Sequence, residues 1–178
     1  MESTVAILLR KTRFSDTSLI VTWFTLAHGK LKTIAKGALR PKSRFAGTLD
    51  LFYSCEISVS RSAKSDLHTL REATLTDPRE KLRHNYASVA LAAYFVELLD
   101  LVTESDHPAP ELYDLLQRAL HYAGTKPPNQ AALVHFENEL VRLLGIQHPG
   151  TTAIIALGRT YHQIPSSRAG VLKLFPQG

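Results

Sequence analysis

The hydrophobic pattern of this chain changes period once, near Asp77, and that change limits the architectures open to it. Up to Leu75, short runs rich in Val, Ile, Thr, Phe and Trp are separated by turn residues, the mark of half-buried strands. Beyond Asp77 the apolar residues return at the three- and four-residue spacing of helices. Strands first and helices afterwards describe an α+β chain with segregated elements. Two domains are expected, residues 1–76 and 77–178.

Five strands are expected, at residues 5–10, 18–26, 30–37, 49–60 and 67–75. In the fourth, Leu49, Leu51, Tyr53, Cys55, Ile57 and Val59 alternate with Asp50, Ser54, Glu56 and Ser58, which turns one apolar face to a core. Five strands in so short a stretch fit a small closed barrel, and the OB-fold is the commonest five-stranded form. The second half begins with Asp77-Pro78-Arg79-Glu80, which reads as a helix start with Asp at the N-cap, Pro at N1 and Glu at N3. Helices are expected at residues 85–102, 110–123 and 130–144, with Gly145 closing the third, and a short one at 152–162. The first is apolar nearly all round, as the centre of a bundle is. The tail, residues 172–178, reads as poorly tied down.

Composition excludes several classes. Cys55 is the single cysteine, so neither an intramolecular disulfide nor a cysteine-built zinc site is possible, and a reducing cytoplasm is the expected setting. No apolar run reaches the roughly 20 residues of a membrane span; the longest, residues 87–102, is broken by Glu97 and Asp100. The N-terminus shows no signal-peptide pattern. The histidines are scattered without an H-E-x-x-H spacing, Ser166-Ser167 lies outside any G-x-S-x-G context, and no phosphate-binding loop is present. Asp100, Glu104 and Asp106 read either as a carboxylate cluster for a metal or, at least as well, as a solvated helix end. No catalysis, cofactor or metal is expected.

Charge is more informative. The net charge is +5, and up to Leu75 twelve Lys and Arg face six Asp and Glu, leaving −1 for the remainder. A basic module points to a polyanion partner. The third strand sets Lys30, Lys32, Ile34 and Lys36 on one face, opposite Leu31, Thr33 and Ala35. It runs into a loop that offers Arg40, Lys42 and Arg44 to phosphates, Ser43 as a donor and Phe45 as a stacking platform. Cations interleaved with aromatic faces build single-strand grooves. Phe14, Trp23, Phe24 and Phe52 are further aromatic candidates, although Trp23 and Phe24 read first as core.

The runs at residues 5–13 (VAILLRKTR), 24–29 (FTLAHG), 30–46 (KLKTIAKGALRPKSRFA) and 66–73 (DLHTLREA) resemble the RecO family of bacterial recombination mediators. The likeness continues more weakly through Phe136-Glu137-Asn138-Glu139-Leu140 to Leu144-Gly145. The resemblance implies an OB-fold followed by a helical domain. It also implies binding of single- and double-stranded DNA, strand annealing, and loading of recombinase with a RecR-like protein onto DNA coated by single-strand-binding protein. The acidic tail of that coating protein is an implied partner, for which Arg118 and Arg142 on the two amphipathic helices are candidates. Many family members carry a four-cysteine zinc module after the Leu144-Gly145 equivalent. Here Ile146-Gln147-His148-Pro149-Gly150-Thr151 follows, and residues 157–168 (LGRTYHQIPSSR) resemble the family's closing helix, so the module is read as replaced by a short turn. Two other classes stay open on the residues alone: an OB-fold module for RNA or tRNA, and a non-catalytic adaptor that binds a partner peptide.

Overall fold

A computed structural model describes residues 1–175. Among them β1 (Glu2–Arg13), β2 (Leu19–Thr25), β3 (Gly29–Ala35), β4 (Ser54–Ser60) and β5 (Leu67–Asp77) close into a barrel in the order β1-β2-β3-β5-β4. All neighbours are antiparallel except β3 and β5. This is the OB-fold barrel expected from the strand pattern. β1 serves two partners: residues 2–7 pair with β4 and residues 6–13 with β2. A register shift between Leu8 and Arg10 supplies the bend this needs. Ala6, Leu8, Val21, Trp23, Leu31, Ile57, Val59 and Leu70 fill the interior. The Trp23 indole N–H donates to the Thr33 hydroxyl at 2.9 Å, so its polar atom is buried with a partner.

The parallel pairing of β3 with β5 covers only Lys32, Thr33 and Ile34. Where β5 has not yet begun, a distant stretch of chain takes its place. The Asp106 N–H donates to the Lys30 carbonyl at 3.0 Å, and Lys30 and Ser105 form a parallel bridge. One compact unit is therefore Met1–Arg79 with Thr103–Tyr113. Within it the Tyr113 ring lies 6.2 Å from that of Phe24. Asp106 also pairs with Arg61, whose Nε donates to Glu2 at 2.9 Å. Gly29, at φ +66°, lies flat against the His107 backbone.

Two local elements differ from the pattern of the sequence. The fourth strand begins at Ser54 rather than at residue 49, because its pairing with β1 ends at Ile7 and Ser54. The alternation runs on in the sequence, but Phe52 is buried at φ +69° in a turn and Leu51 faces solvent. The Phe52 carbonyl accepts from Arg79 Nε at 2.9 Å, and Arg79 Nη2 donates to Ser54 Oγ at 2.8 Å. That use of Arg79 accounts for the second difference. Arg79 sits at φ +48°, outside helical space, so no helix starts at Asp77. A 3₁₀ helix, Glu80–His84, follows instead. The first α-helix, α1 (Tyr86–Val102), starts behind Asn85, whose side chain accepts from the Ala87 N–H at 2.8 Å.

The second unit comprises Glu80–Val102 and the chain from Asp114 onward. Its helices are α1, most of α2 (Pro110–Thr125), α3 (Gln130–Leu143), α4 (Ala153–Tyr161) and α5 (Ser167–Leu172). α1 buries Leu91, Tyr94, Phe95, Leu98 and Leu99, and Phe95 stacks on Phe136 of α3 at 4.2 Å. Asn129 caps α3 by accepting from the Ala132 N–H at 2.8 Å. At the other end Gly145 (φ +68°) donates to Arg142 O and Ile146 to Val141 O, which is a Schellman motif. α5 has no counterpart among the expected helices. It is clamped by Arg168, which reaches the buried Glu137 of α3 through two bonds of 2.6 and 3.0 Å, while the Tyr94 hydroxyl donates to the same carboxylate at 2.5 Å. The tail is thus tied down through Val171 and Phe175, both buried; residues 176–178 lie outside the described chain.

Candidate nucleic-acid interface

The site is built on the alternation of β3. Leu31, Thr33 and Ala35 are buried, while Lys30, Lys32 and Ile34 lie half-exposed on the outer face. Lys36 follows, fully outside. The chain then folds into consecutive tight turns: the N–H groups of Ala38, Arg40, Ser43, Ala46 and Thr48 donate to carbonyls three residues back, at 3.0 to 3.3 Å. Arg40, Lys42 and Arg44 project from this loop into solvent. Ser43 is half-buried, and its hydroxyl accepts from the Phe45 N–H at 3.1 Å.

Phe45 is not a surface platform. It is 3% exposed and belongs to the barrel core with Trp23 and Leu31. A turn series that keeps three cations outside must point something inward to anchor itself, and Phe45 is that residue. The Arg44 guanidinium carbon sits 4.9 Å from the Phe45 ring centroid, a cation–π contact that holds the arginine at the surface. Trp23, Phe24 and Phe52 are buried as well.

The cations differ in how far their charge is already met. Lys32 approaches Asp66 at 3.7 Å with both side chains exposed, a pairing of little strength. Among the described residues, no carboxylate lies within ion-pair distance of Lys36, Arg40, Lys42 or Arg44. Four adjacent uncompensated cations repel one another and favour binding of a polyanion.

The structure adds residues that the charge pattern does not mark. The Leu39 N–H donates to Thr17 O at 2.9 Å, and the Gly37 N–H to Ser18 Oγ at 3.4 Å. These bonds join the cationic loop to the tip of the β1–β2 hairpin, which carries Arg13 and Phe14. Register sets Arg10, Thr22 and Lys32 in one outer row, where the two cations flank Thr22, itself buried at 2% exposure. The sequence shows this tip only through the turn residues Ser15-Asp16 and the aromatic candidate Phe14.

Arg142, and more weakly Arg118, hold the Glu139 carboxyl below the usual carboxylate range, but only one of the two arginines borders a cavity. Arg118 lines a cavity of about 390 Å³ with Phe95, Leu115, Tyr122, His135 and Phe136. Its Nε holds Asp114 at 2.8 Å on the surface. Arg142 does not line that cavity; it makes two bonds to Glu139, at 3.2 and 2.9 Å.

A closed five-stranded barrel in the order β1-β2-β3-β5-β4, with a cationic loop after its third strand, defines an OB-fold module. Two family models match the chain: Recombination protein O N terminal over residues 1–79 and Recombination protein O C terminal over residues 83–150. The chain is 31% identical over 176 residues to a DNA repair protein RecO of Salinibacter ruber, covering 98% of this chain and 65% of that protein. It is 33% identical to those of Rhodopirellula baltica, over 87% of this chain and 57% of the relative, and Syntrophotalea carbinolica, over 80% and 55%. The chain belongs to the RecO family. It spans between about half and two thirds of the length of these relatives.

Proposed function

We propose that this chain is a non-catalytic mediator of DNA repair and recombination that binds single- and double-stranded DNA through its barrel, promotes annealing and acts in the cytoplasm at the nucleoid. The observation that carries this reading is the loop bearing Lys36, Arg40, Lys42 and Arg44, exposed and without carboxylate partners among the described residues. Lys30 and Lys32 extend it along β3 as outer phosphate contacts, and Ser43 stands among the cations. Annealing requires only that two strands be held with their charge screened, which binding energy supplies without a reacting group. Membership of a family whose relatives are named as DNA repair proteins supports the same reading.

The partners follow from this proposal: a RecR-like protein, and the acidic tail of single-strand-binding protein. For the tail, the cavity between α2 and α3 joins apolar walls to one cation, Arg118, the pairing that an acidic peptide with an aromatic end requires.

Binding to oligonucleotides measured against salt tests the central claim. Gln at all four loop positions should weaken single-strand binding and flatten the log–log salt slope by about 0.7 for each phosphate no longer neutralised. An unchanged slope would remove these residues from the interface. RNA outcompeting single-stranded DNA of equal length would favour an RNA-binding module instead.

A further inference from the structure

We infer that Phe14, at the tip of the β1–β2 hairpin, is the surface on which an unpaired base of single-stranded DNA stacks. The inference rests on the DNA-binding reading above and names the aromatic element that reading lacks once Phe45 is placed in the core.

Phe14 is 56% exposed, whereas the other six phenylalanines are each 5% exposed or less. The fold therefore has room for phenylalanine inside and leaves this one outside. Its position is fixed rather than frayed. The Phe14 N–H donates to Ser18 O at 3.0 Å, and the Ser15 hydroxyl accepts from the Ser18 N–H at 3.2 Å. Thr17 O accepts from Leu39 of the cationic loop. Ring and cations are thus carried on one hydrogen-bonded piece of backbone.

The register of the sheet gives the direction of approach. Phe14 lies one residue past the end of β1 and two past Thr12, whose outer row holds Ile20 and Ile34. In the next outer row Arg10 and Lys32 flank Thr22, which is itself covered. The outer face of strands 2 and 3 and the loop between strands 1 and 2 are where OB-folds hold oligonucleotides. An aromatic ring at one end of that face, half-buried isoleucines beside it and lysines along it offer stacking and charge in alternation. Arg13 adds a cation at the same hairpin tip, on the opposite face of the strand, and its ion-pair partner is the fully exposed Asp16, a pair that a phosphate can displace. Charge of this sign argues for nucleic acid over an apolar protein partner.

The test uses the full chain with Phe14→Ala and Phe14→Trp, oligothymidylate, an abasic strand of equal length, and a duplex. The exposed position lets both variants fold, and the emission of the buried Trp23 reports that they have. Phe14→Ala should weaken oligothymidylate binding about 5- to 150-fold, with abasic-strand affinity, duplex affinity and the salt slope unchanged. Phe14→Trp should restore affinity and show quenching of the added indole by oligothymidylate alone. Wild-type affinity in Phe14→Ala, or equal weakening on the abasic strand, would overturn the inference. So would an effect confined to binding of a RecR-like protein. A wild-type chain that binds no DNA would instead sink the reading on which the inference stands.

Discussion

Removing the Phe45 ring leaves a hole at the end of the barrel core, beneath three of the cations. Phe45→Ala is expected to cost about 3–5 kcal/mol, read from urea unfolding, whereas Phe14→Ala leaves the midpoint nearly unchanged. Cys55 is another interior residue with a measurable signature. It is fully buried, and burial pushes its thiol up to about 11 from 9.0. The thiol should therefore alkylate at neutral pH only as fast as the chain opens. The folded state holds its proton where the unfolded state has released it, so this group's stabilisation is complete below about pH 9 and is lost as pH rises toward 11. Arg168→Met strands the Glu137 carboxylate, 2% exposed, with Tyr94 as its hydroxyl donor. The expected cost is about 3 kcal/mol, with α5 released first in hydrogen exchange. Phe45 also marks what a sequence reading misses, for it sits in a basic, turn-rich stretch whose composition says nothing of which ring the barrel core takes in; Phe14 is named from sequence only as one aromatic among several.

At the level of elements, β3 is the most legible. Its alternation depends on nothing beyond the strand, and the burial pattern follows it residue by residue. β4 is legible from Ser54 onward; the same alternation before it is interrupted by a left-handed Phe52 that Arg79 secures from elsewhere in the chain. The helix start at Asp77 fails for the same cause, since Arg79 is recruited to that turn. Where a distant side chain decides a backbone angle, local pattern is silent. The junction of β2 and β3 offers a test at this scale. A Cβ on Gly29 would stand 1.8 Å from the His107 carbonyl oxygen, and the φ is left-handed. Gly29→Ala should cost about 3 kcal/mol or more and raise hydrogen exchange at Asp106, whose N–H reaches Lys30.

For the whole molecule, the strand-then-helix pattern specifies the fold class but not the interleaving of the units. The stretch Thr103–Tyr113 belongs with the barrel, yet it carries no strand period and no cysteine or glycine signature to tie it there. Its membership is decided by Tyr113 against Phe24, Asp106 at Arg61 and the bridge to Lys30. A truncated chain, Met1–Arg79, lacks all three. It should melt well below the full chain and bind an apolar dye where Phe24 is left without its cover; equal melting temperatures would show that the returning stretch is dispensable.

Because that stretch comes after α1 in the sequence, the barrel is unfinished when its fifth strand leaves the ribosome. Translation at about 5–20 residues per second leaves Phe24 uncovered for roughly 2 to 7 seconds while the intervening helix is made. A nascent chain stalled in that interval should be an early and specific client for chaperones.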